Sequence, residues 1–442
     1  MTDFAPINEA VVMEQFMEFL LEKSSPTEAN STTFDFRIKE DFLIYLVSYM
    51  DAHNKFYLSN EEFETLLRDY HTNIGFSVKE TGFDTLFFKK GVLIQTELII
   101  TFRYNCMIEY YLSKRAEQSP EFLTHILSDD NYLNYSDTLL YYTGLNRRNT
   151  EIVTVLGSKL QRDFETFKDV IAELKSYNID IDISFSEDTF SQKLSQSKLS
   201  QAQSDKIQDT RDTSEDHLPE SNNKHNTYGE TDAFIQTLLI YGSCLKNLEL
   251  IPKSQKEHMY SDYVFGLCIM LGILKRSTDD YFRDEILDMK RSPEKHPREE
   301  IEKIKAMARD ILKITLPIVI QNIALENMGT PKLNSVIQEA ILADNSNEFS
   351  HFFSVFLFSD LRLPGVQNVL KQYVANTKDK SLLKIIFFKL MYYYCFRYFS
   401  PALDPFLEST LADINIKLNG WSKLPKAVII QTIKGQKQLA NK

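Results

Sequence analysis

Apolar side chains recur at helical spacing from Asn8 to Ala116, which predicts a series of amphipathic helices. Ser59 and Glu62 stand three residues apart before one of these runs and form the sequence signature of a capping box, so we expect a helix to begin there. The runs with spacings of three and four residues are Val12, Phe16, Phe19 and Leu20; Phe42, Tyr45, Leu46 and Tyr49; Phe63, Leu66, Leu67 and Tyr70; and Phe83, Leu86 and Phe87.

After these helices the pattern becomes β-rich. Gly91 ends the fourth helix, and residues 92–94 and 98–102 are two short runs of β-branched and apolar side chains around the polar turn 95–97. Two such runs around a tight turn predict a β-hairpin. A new helix is expected to begin near Ile108. Helices followed by a small hairpin are the outline of a winged helix, which we assign to residues 1–116.

The rest of the chain predicts further helices around one polar stretch. Residues 117–183 indicate helical hairpins, whereas residues 184–232 are too poor in apolar side chains to offset their ordering entropy and are expected to form a disordered linker or insertion. From 233 to 442 one-sided apolar patterns return without a clean repeat, which favours irregular solenoid-like helix pairs. The predicted fold class is therefore mainly α: a winged-helix-like module followed by an α-solenoid-like region.

Composition narrows the classes of function. The 442 residues carry a formal net charge of -12, which disfavours a nucleic-acid-binding surface over the whole protein. The four cysteines lie far apart, so they predict neither a metal site nor a disulfide framework, and a reducing cytoplasm is the expected location. We expect no membrane association, because residues 311–325 are too short to span a bilayer and residues 382–399 contain three basic side chains.

Catalytic motifs are missing from the sequence. It contains no Gly-x-x-x-x-Gly-Lys-Ser/Thr loop, no His-Glu-x-x-His pair and no Gly-x-Ser-x-Gly elbow, so we expect no enzyme and no bound cofactor or metal. The acid pairs Asp129-Asp130 and Asp279-Asp280 are interpreted as residues at helix N-termini, where acids meet the helix dipole favourably. Lysines near the C-terminus leave a local nucleic-acid contact as a weaker alternative.

Two strings in the first module resemble those of the NACHT-like group of STAND-class P-loop NTPases. Met13-Glu14-Gln15-Phe16-Met17-Glu18 is similar to the helix that follows the family's nucleotide-binding core. The join between hairpin and helix resembles the family's closing pattern Phe-Arg-His-x-x-Phe-x-Glu-Tyr. Its positions here are Phe102, Arg103, Tyr104, Met107, Glu109 and Tyr110.

The resemblance implies a regulatory part of a signalling protein whose NTPase core is absent from this chain. In the family the histidine of the closing pattern contacts nucleotide phosphate, whereas this chain has Tyr104, a phenol that cannot carry an imidazolium charge. ATP or ADP would bind only if an NTPase domain were supplied upstream or by another chain. The resemblance further implies that the helical region senses a protein trigger, as in the antiphage members.

A free-standing α-solenoid adaptor remains an open alternative and would bind proteins without any nucleotide switch. A winged-helix transcription factor is disfavoured, because the clearest helix is crowded with acids that would repel DNA. These acids are Glu61, Glu62, Glu64 and Asp69.

Overall fold

The protein is mainly α-helical, as the apolar periodicity predicts. The computed structural model describes residues 8–22, 36–96, 98–181, 228–289, 298–343, 347–396, 398–420 and 425–440. The predicted linker therefore lies outside the described residues up to position 227. The described residues divide into two compact units, one within Met1–Lys159 and Gln203–Pro252 and the other within Leu160–Ala202 and Lys253–Lys442.

The first unit combines helices with one small sheet. Its helices are α1 (Glu9–Glu22), α2 (Phe36–Ala52), α3 (Asn60–Ile74), α4 (Val78–Thr81), α5 (Phe83–Lys89), α6 (Asn105–Gln118), α7 (Pro120–Ile126), α8 (Ser136–Leu145), the first part of α9 (Thr150–Phe167), and α11 (Glu230–Asn247). Its strands are β1 (Leu58–Ser59), β2 (Leu93–Gln95) and β3 (Ile99–Phe102).

The sheet is antiparallel with the strand order β1-β3-β2. The predicted hairpin is confirmed, since Leu93 pairs with Phe102 and Gln95 with Ile100. On its other side Ile100 pairs with Leu58 of β1, so β3 is the central strand. Gly91 adopts a left-handed φ of 68° between α5 and β2, a conformation that is costly for residues with a Cβ.

The predicted capping box is present at the start of α3. The Glu62 backbone amide donates to the Ser59 hydroxyl at 3.2 Å, and the Ser59 amide donates to the Glu62 carboxylate at 2.7 Å. The ammonium of Lys55 lies 2.9 Å from the same carboxylate. These contacts satisfy backbone donors that the first helical turn leaves without intrahelical partners.

Phe42 of α2 is the centre of an aromatic core formed by helices of the first unit. Its ring is fully buried and lies 5.3 Å from the Phe87 ring of α5 and 5.1 Å from the Tyr70 ring of α3. The Phe83 ring lies 5.4 Å away on the same helix as Phe87. Aromatic side chains of α3 and α5 thus pack on this one residue of α2, and the apolar faces expected from the sequence meet there.

α8 approaches the first helix very closely. A Cβ added to Gly144 would lie 2.5 Å from the Ala10 Cβ of α1 and 2.6 Å from the Asn8 side-chain oxygen. The Asn8 amide donates to the Gly144 carbonyl at 3.0 Å, while its oxygen accepts from the Ala10 amide. The absence of a side chain at position 144 therefore permits this packing of α1.

The second unit is built from helices alone among its described residues. These are the second part of α9, α10 (Ile171–Lys175), α12 (Lys253–Met289), α13 (Arg298–Met328), α14 (Asn334–Leu342), α15 (Glu348–Asp360), α16 (Val366–Asn376), α17 (Lys380–Cys395), α18 (Asp404–Asn419) and α19 (Lys426–Ala440). Consecutive helices pack as pairs along this unit, α14 on α15, α17 on α18 and α18 on α19.

The interpretation of Asp279-Asp280 as helix N-terminal acids is wrong, because α12 runs through them from Lys253 to Met289. Asp279 instead pairs with Lys275 one turn earlier, at 3.1 Å. Asp129 and Asp130 lie in the turn after α7, where Asp129 pairs with Lys159. The dipole argument failed at both places because neither pair opens a helix.

The lysines near the C-terminus pair with acids of the preceding helix. Lys426 contacts Asp413 at 2.6 Å, and Lys437 contacts Asp404 at 2.6 Å. Lys434 lies 3.4 Å from Glu408. α19 therefore packs on α18 through complementary charge, whereas Lys423 and Lys442 lie outside the described residues.

A buried ion pair joins α15 and α17. Lys389 and Asp360 are 3.1 Å apart with only 2% of each side chain exposed. The Tyr393 hydroxyl donates to the Asp360 carboxylate at 2.5 Å, and the Lys389 ammonium donates to the Asn322 side chain of α13 at 3.1 Å. Burial lowers the pKa of Lys389, and the charge of Asp360 opposes this shift.

α13 is longer than the apolar run that predicted it. By length and composition alone its segment Lys305–Met328 could cross a membrane, and it is the only described helix of this kind. A third of its most apolar 18-residue stretch is buried. One such helix is weak evidence for a membrane span, since the core helices of soluble proteins can be as long and as apolar.

We predict that Gly144→Ala lowers the free energy of unfolding by about 1–3 kcal/mol, because the new methyl group overpacks the contact with α1. Gly157→Ala is the matched control, since its Cβ would lie 3.6 Å from the Tyr241 hydroxyl, an ordinary contact. The control should be neutral or stabilising by up to about 1 kcal/mol. Urea unfolding of both variants measures the difference, and equal stability would contradict the close approach.

We predict that Lys389→Met costs about 3–5 kcal/mol, because it leaves the Asp360 charge buried without its cation. The double variant Asp360→Asn/Lys389→Met should lose less than the two single variants together. A double-mutant cycle by chemical denaturation tests this coupling. Additive losses would show that the two groups do not stabilise each other.

Candidate functional site

The join between β3 and α6 carries the residues that the sequence singles out. Phe102 and Tyr110 are both buried. The Phe102 ring lies 5.8 Å from the ring of Tyr111, which in turn lies 5.1 Å from that of Tyr110. Packing alone accounts for these two aromatic positions, since both rings pack on Tyr111 of α6.

Arg103 and Tyr104 form the accessible part of the join. Arg103 is exposed and Tyr104 is partly exposed. The Arg103 Nε donates to the Tyr104 hydroxyl at 3.2 Å, and the Arg103 backbone amide donates to the Val92 carbonyl at 2.9 Å. Tyr104 is the N-cap residue of α6, but its side chain makes no capping hydrogen bond. A guanidinium, a phenol and a helix N-terminus thus lie together, a combination that suits an anion.

Glu109 and Tyr110 tie α6 to other helices of the first unit. The Thr138 hydroxyl of α8 donates to the Glu109 carboxylate. The Tyr110 hydroxyl lies 3.4 Å from the carboxylate of Glu40 in α2. Burial raises the pKa of Tyr110, and the Glu40 charge adds to the shift. Burial also raises the pKa of Glu40, against the opposing charge of Lys114.

Two ion pairs of α6 were not expected from the sequence. Lys114 contacts Glu14 of α1 at 2.8 Å, and Arg115 contacts Asp51 of α2 at 2.9 Å. The Tyr135 hydroxyl donates to the other Asp51 oxygen at 2.8 Å. Sequence spacing does not predict such contacts, because the partners are up to 100 residues apart. These ion pairs hold α6 against α1 and α2.

A cleft of about 900 Å³ in the second unit is a second candidate site that the sequence did not reveal. α10, α12, α14, α15 and α17 contribute to its walls. Aromatic side chains on three separate segments line it, and the Tyr177 ring lies 4.9 Å from that of Phe349. The Tyr260 hydroxyl is anchored on Ser354 at 3.1 Å.

The charged side chains of this cleft are mostly acidic. Glu257, Glu339, Glu348 and Asp379 line it, against Lys175 alone. Partial burial raises the pKa of Glu348, and the nearby charge of Asp379 adds to the shift. Asp379 also caps α17, where its carboxylate accepts from the Leu382 amide at 2.6 Å.

Among the residues that the structure describes, no group of three or more His, Cys, Asp or Glu side chains is placed to hold a metal ion. The four cysteines are unbridged. Burial raises the pKa of Cys244 and of Cys268 to about 12, so both thiols stay protonated at neutral pH.

Comparison with known proteins gives no relative for this chain. It matches no protein family, no curated protein and no solved structure.

We predict opposite effects for two tyrosine hydroxyls of the first unit. The Tyr111 hydroxyl is fully buried and has no hydrogen-bond partner among the described residues, so Tyr111→Phe should be neutral or stabilising by about 1 kcal/mol. Tyr135→Phe removes a hydrogen bond to the Asp51 carboxylate and should cost about 1–3 kcal/mol. Thermal and urea unfolding of the pair measure this difference, and a loss at Tyr111 as large as at Tyr135 would contradict it.

Proposed function

We propose that this chain is a non-catalytic regulatory and sensor portion of a STAND, NACHT-like signalling protein that acts in antiphage defence. The observation that carries the proposal is the order helix, strand, helices, hairpin from α2 to β3, with β1 paired to β3. The same order of elements is expected for a winged helix. It supports placing such a module in the first unit, directly before α6.

The sequence of the join adds to this support. Glu109 and Tyr110, which resemble the family's closing pair, lie at the start of α6 and hold that helix against α8 and α2. Arg103 and Tyr104 occupy the accessible corner where the family's histidine would contact nucleotide phosphate. A nucleotide-binding domain would bring ATP or ADP to this corner. That domain would lie either upstream in the same protein or on another chain.

Charge disfavours DNA as the partner of the proposed winged helix. Glu61, Glu64 and Asp69 are exposed on α3. α5, the helix that precedes the hairpin, offers solvent Asp84 as well as Lys89. Neither helix concentrates the positive charge that phosphate binding needs. We therefore assign the module to interactions between protein domains in the cytoplasm.

The paired helices of the second unit support a role in binding a protein trigger. Their consecutive packing is consistent with an irregular α-solenoid, which presents extended surfaces to proteins. A free-standing α-solenoid adaptor is the alternative function. The cleft of this unit supports the adaptor as much as the sensor, because binding a protein in this cleft requires no nucleotide switch.

The proposal predicts that the purified chain has no metal-dependent ATPase activity, because it lacks a phosphate-binding loop. The assay measures phosphate release with ATP and Mg²⁺ over a range of ATP concentrations. Saturable turnover that persists through purification would contradict the non-enzymatic assignment.

A second measurement separates the regulator from the adaptor. The genome upstream of Met1 should encode a P-loop NTPase domain, and adding this chain to that domain should lower its ATPase rate. Arg103→Ala/Tyr104→Phe should weaken the inhibition, while Arg68→Ala, at an exposed position of α3, should not. Absence of any such domain nearby would favour the adaptor.

A further inference from the structure

The cleft of the second unit combines features that select a cationic side chain with an apolar stem. Of the aromatic side chains that line it, Tyr260 and Phe349 are buried and Phe265 exposes 37% of its surface. The Phe265 ring is held edge-on by the Phe164 ring at 4.9 Å. An exposed aromatic ring such as that of Phe265 can cover the methylene groups of lysine or arginine and interact with their charge.

The carboxylates of the cleft fall into two classes. Glu257 and Glu339 already share the ammonium of Lys253, which lies 3.4 Å from Glu257 and also contacts Glu339. Glu348 and Asp379 form no ion pair with any described residue. Glu348 and Asp379 therefore line the same cleft without a paired cation. The repulsion between their two carboxylates would fall if a positively charged group entered the cleft.

A metal ion does not satisfy this arrangement among the described residues, because no three ligands there converge. An organic cation does, since an ammonium or guanidinium can donate hydrogen bonds to more than one carboxylate while its apolar stem contacts the Phe265 ring. The cleft volume of about 900 Å³ is within the range of sites that hold several side chains of a peptide.

We propose that this cleft binds a basic peptide segment of a protein partner, with an arginine or lysine side chain directed at Glu348 and Asp379 and a neighbouring apolar side chain on Phe265. The inference deepens the proposed function and rests on it, because it names the chemistry of the trigger that the helical region senses.

The test uses the purified full chain and a short fluorescein-labelled peptide in which arginine and leucine alternate. Fluorescence anisotropy should show saturable binding that weakens with added salt. The same peptide with glutamate in place of arginine should not bind. Equal binding of the two peptides, or no binding of the basic one at low salt, would overturn the proposal.

Substitutions in and outside the cleft test whether the peptide binds there. Glu348→Gln/Asp379→Asn keeps the size of both side chains, and the asparagine can still cap α17, so the affinity should fall by about 3-fold to 30-fold without a change in fold. Ser261→Arg, at an exposed cleft position on α12, supplies an internal cation and should weaken binding as well. Glu326→Gln removes the same charge from an exposed position outside the cleft lining and should have no effect.

Circular dichroism melting of each variant separates a loss of binding from a loss of fold. If the carboxylate double variant melts early, Ser261→Arg carries the test alone, and unchanged affinity in that variant would refute the site. Failure of peptide binding with retained inhibition of the NTPase domain would remove this inference and leave the proposed function. Peptide binding without such inhibition would keep the cleft and support the adaptor.

Discussion

The short connection between β3 and α6 is the constraint on which the architecture of the first unit depends. Only Arg103 and Tyr104 separate the central strand from the helix. Strand and helix therefore cannot be oriented independently. Because β3 pairs on both edges and α6 contacts α2, α7 and α8, any rotation at this point would disturb the sheet and the helices together.

This constraint changes how the resemblance at the join is understood. Phe102 and Tyr110 need no ligand to explain them, because both are buried and pack on Tyr111. Glu109 is likewise engaged with Thr138. Only Arg103 and Tyr104 remain available to a partner. The part of the pattern that can report on nucleotide is thus small, and the larger part describes how a helix is fixed to a strand.

Local signals allowed much of the fold to be predicted. The capping pair at Ser59 and Glu62, the stop at Gly91 and the β-branched run before Phe102 act within a few residues, so the sequence displays them directly. β1 escaped prediction, because Leu58–Ser59 is too short for any periodicity and exists only through its pairing with β3. The position of Asp279 inside α12 was also not predicted, since nothing in the neighbouring sequence shows that the helix continues through this residue.

The candidate sites show the same division between local and distant contacts. The join was predictable because its residues are consecutive. The cleft was not, because Tyr177, Glu257, Glu348 and Asp379 come from elements far apart in the chain and converge only through helix packing. The ion pairs between the C-terminal lysines and α18 were not predicted either, because they too form only through helix packing. A charge count identifies an acidic protein, but only the packing decides which acids already have cations.

Ser59 is both the last residue of β1 and the N-cap of α3. Because one residue both ends the strand and starts the helix, no loop residue lies between them to absorb a change in length. Adding or deleting one residue here would turn the whole apolar face of α3 by about 100° away from Phe42. Among natural variants of this chain, differences in length should therefore be absent between Leu58 and Asn60.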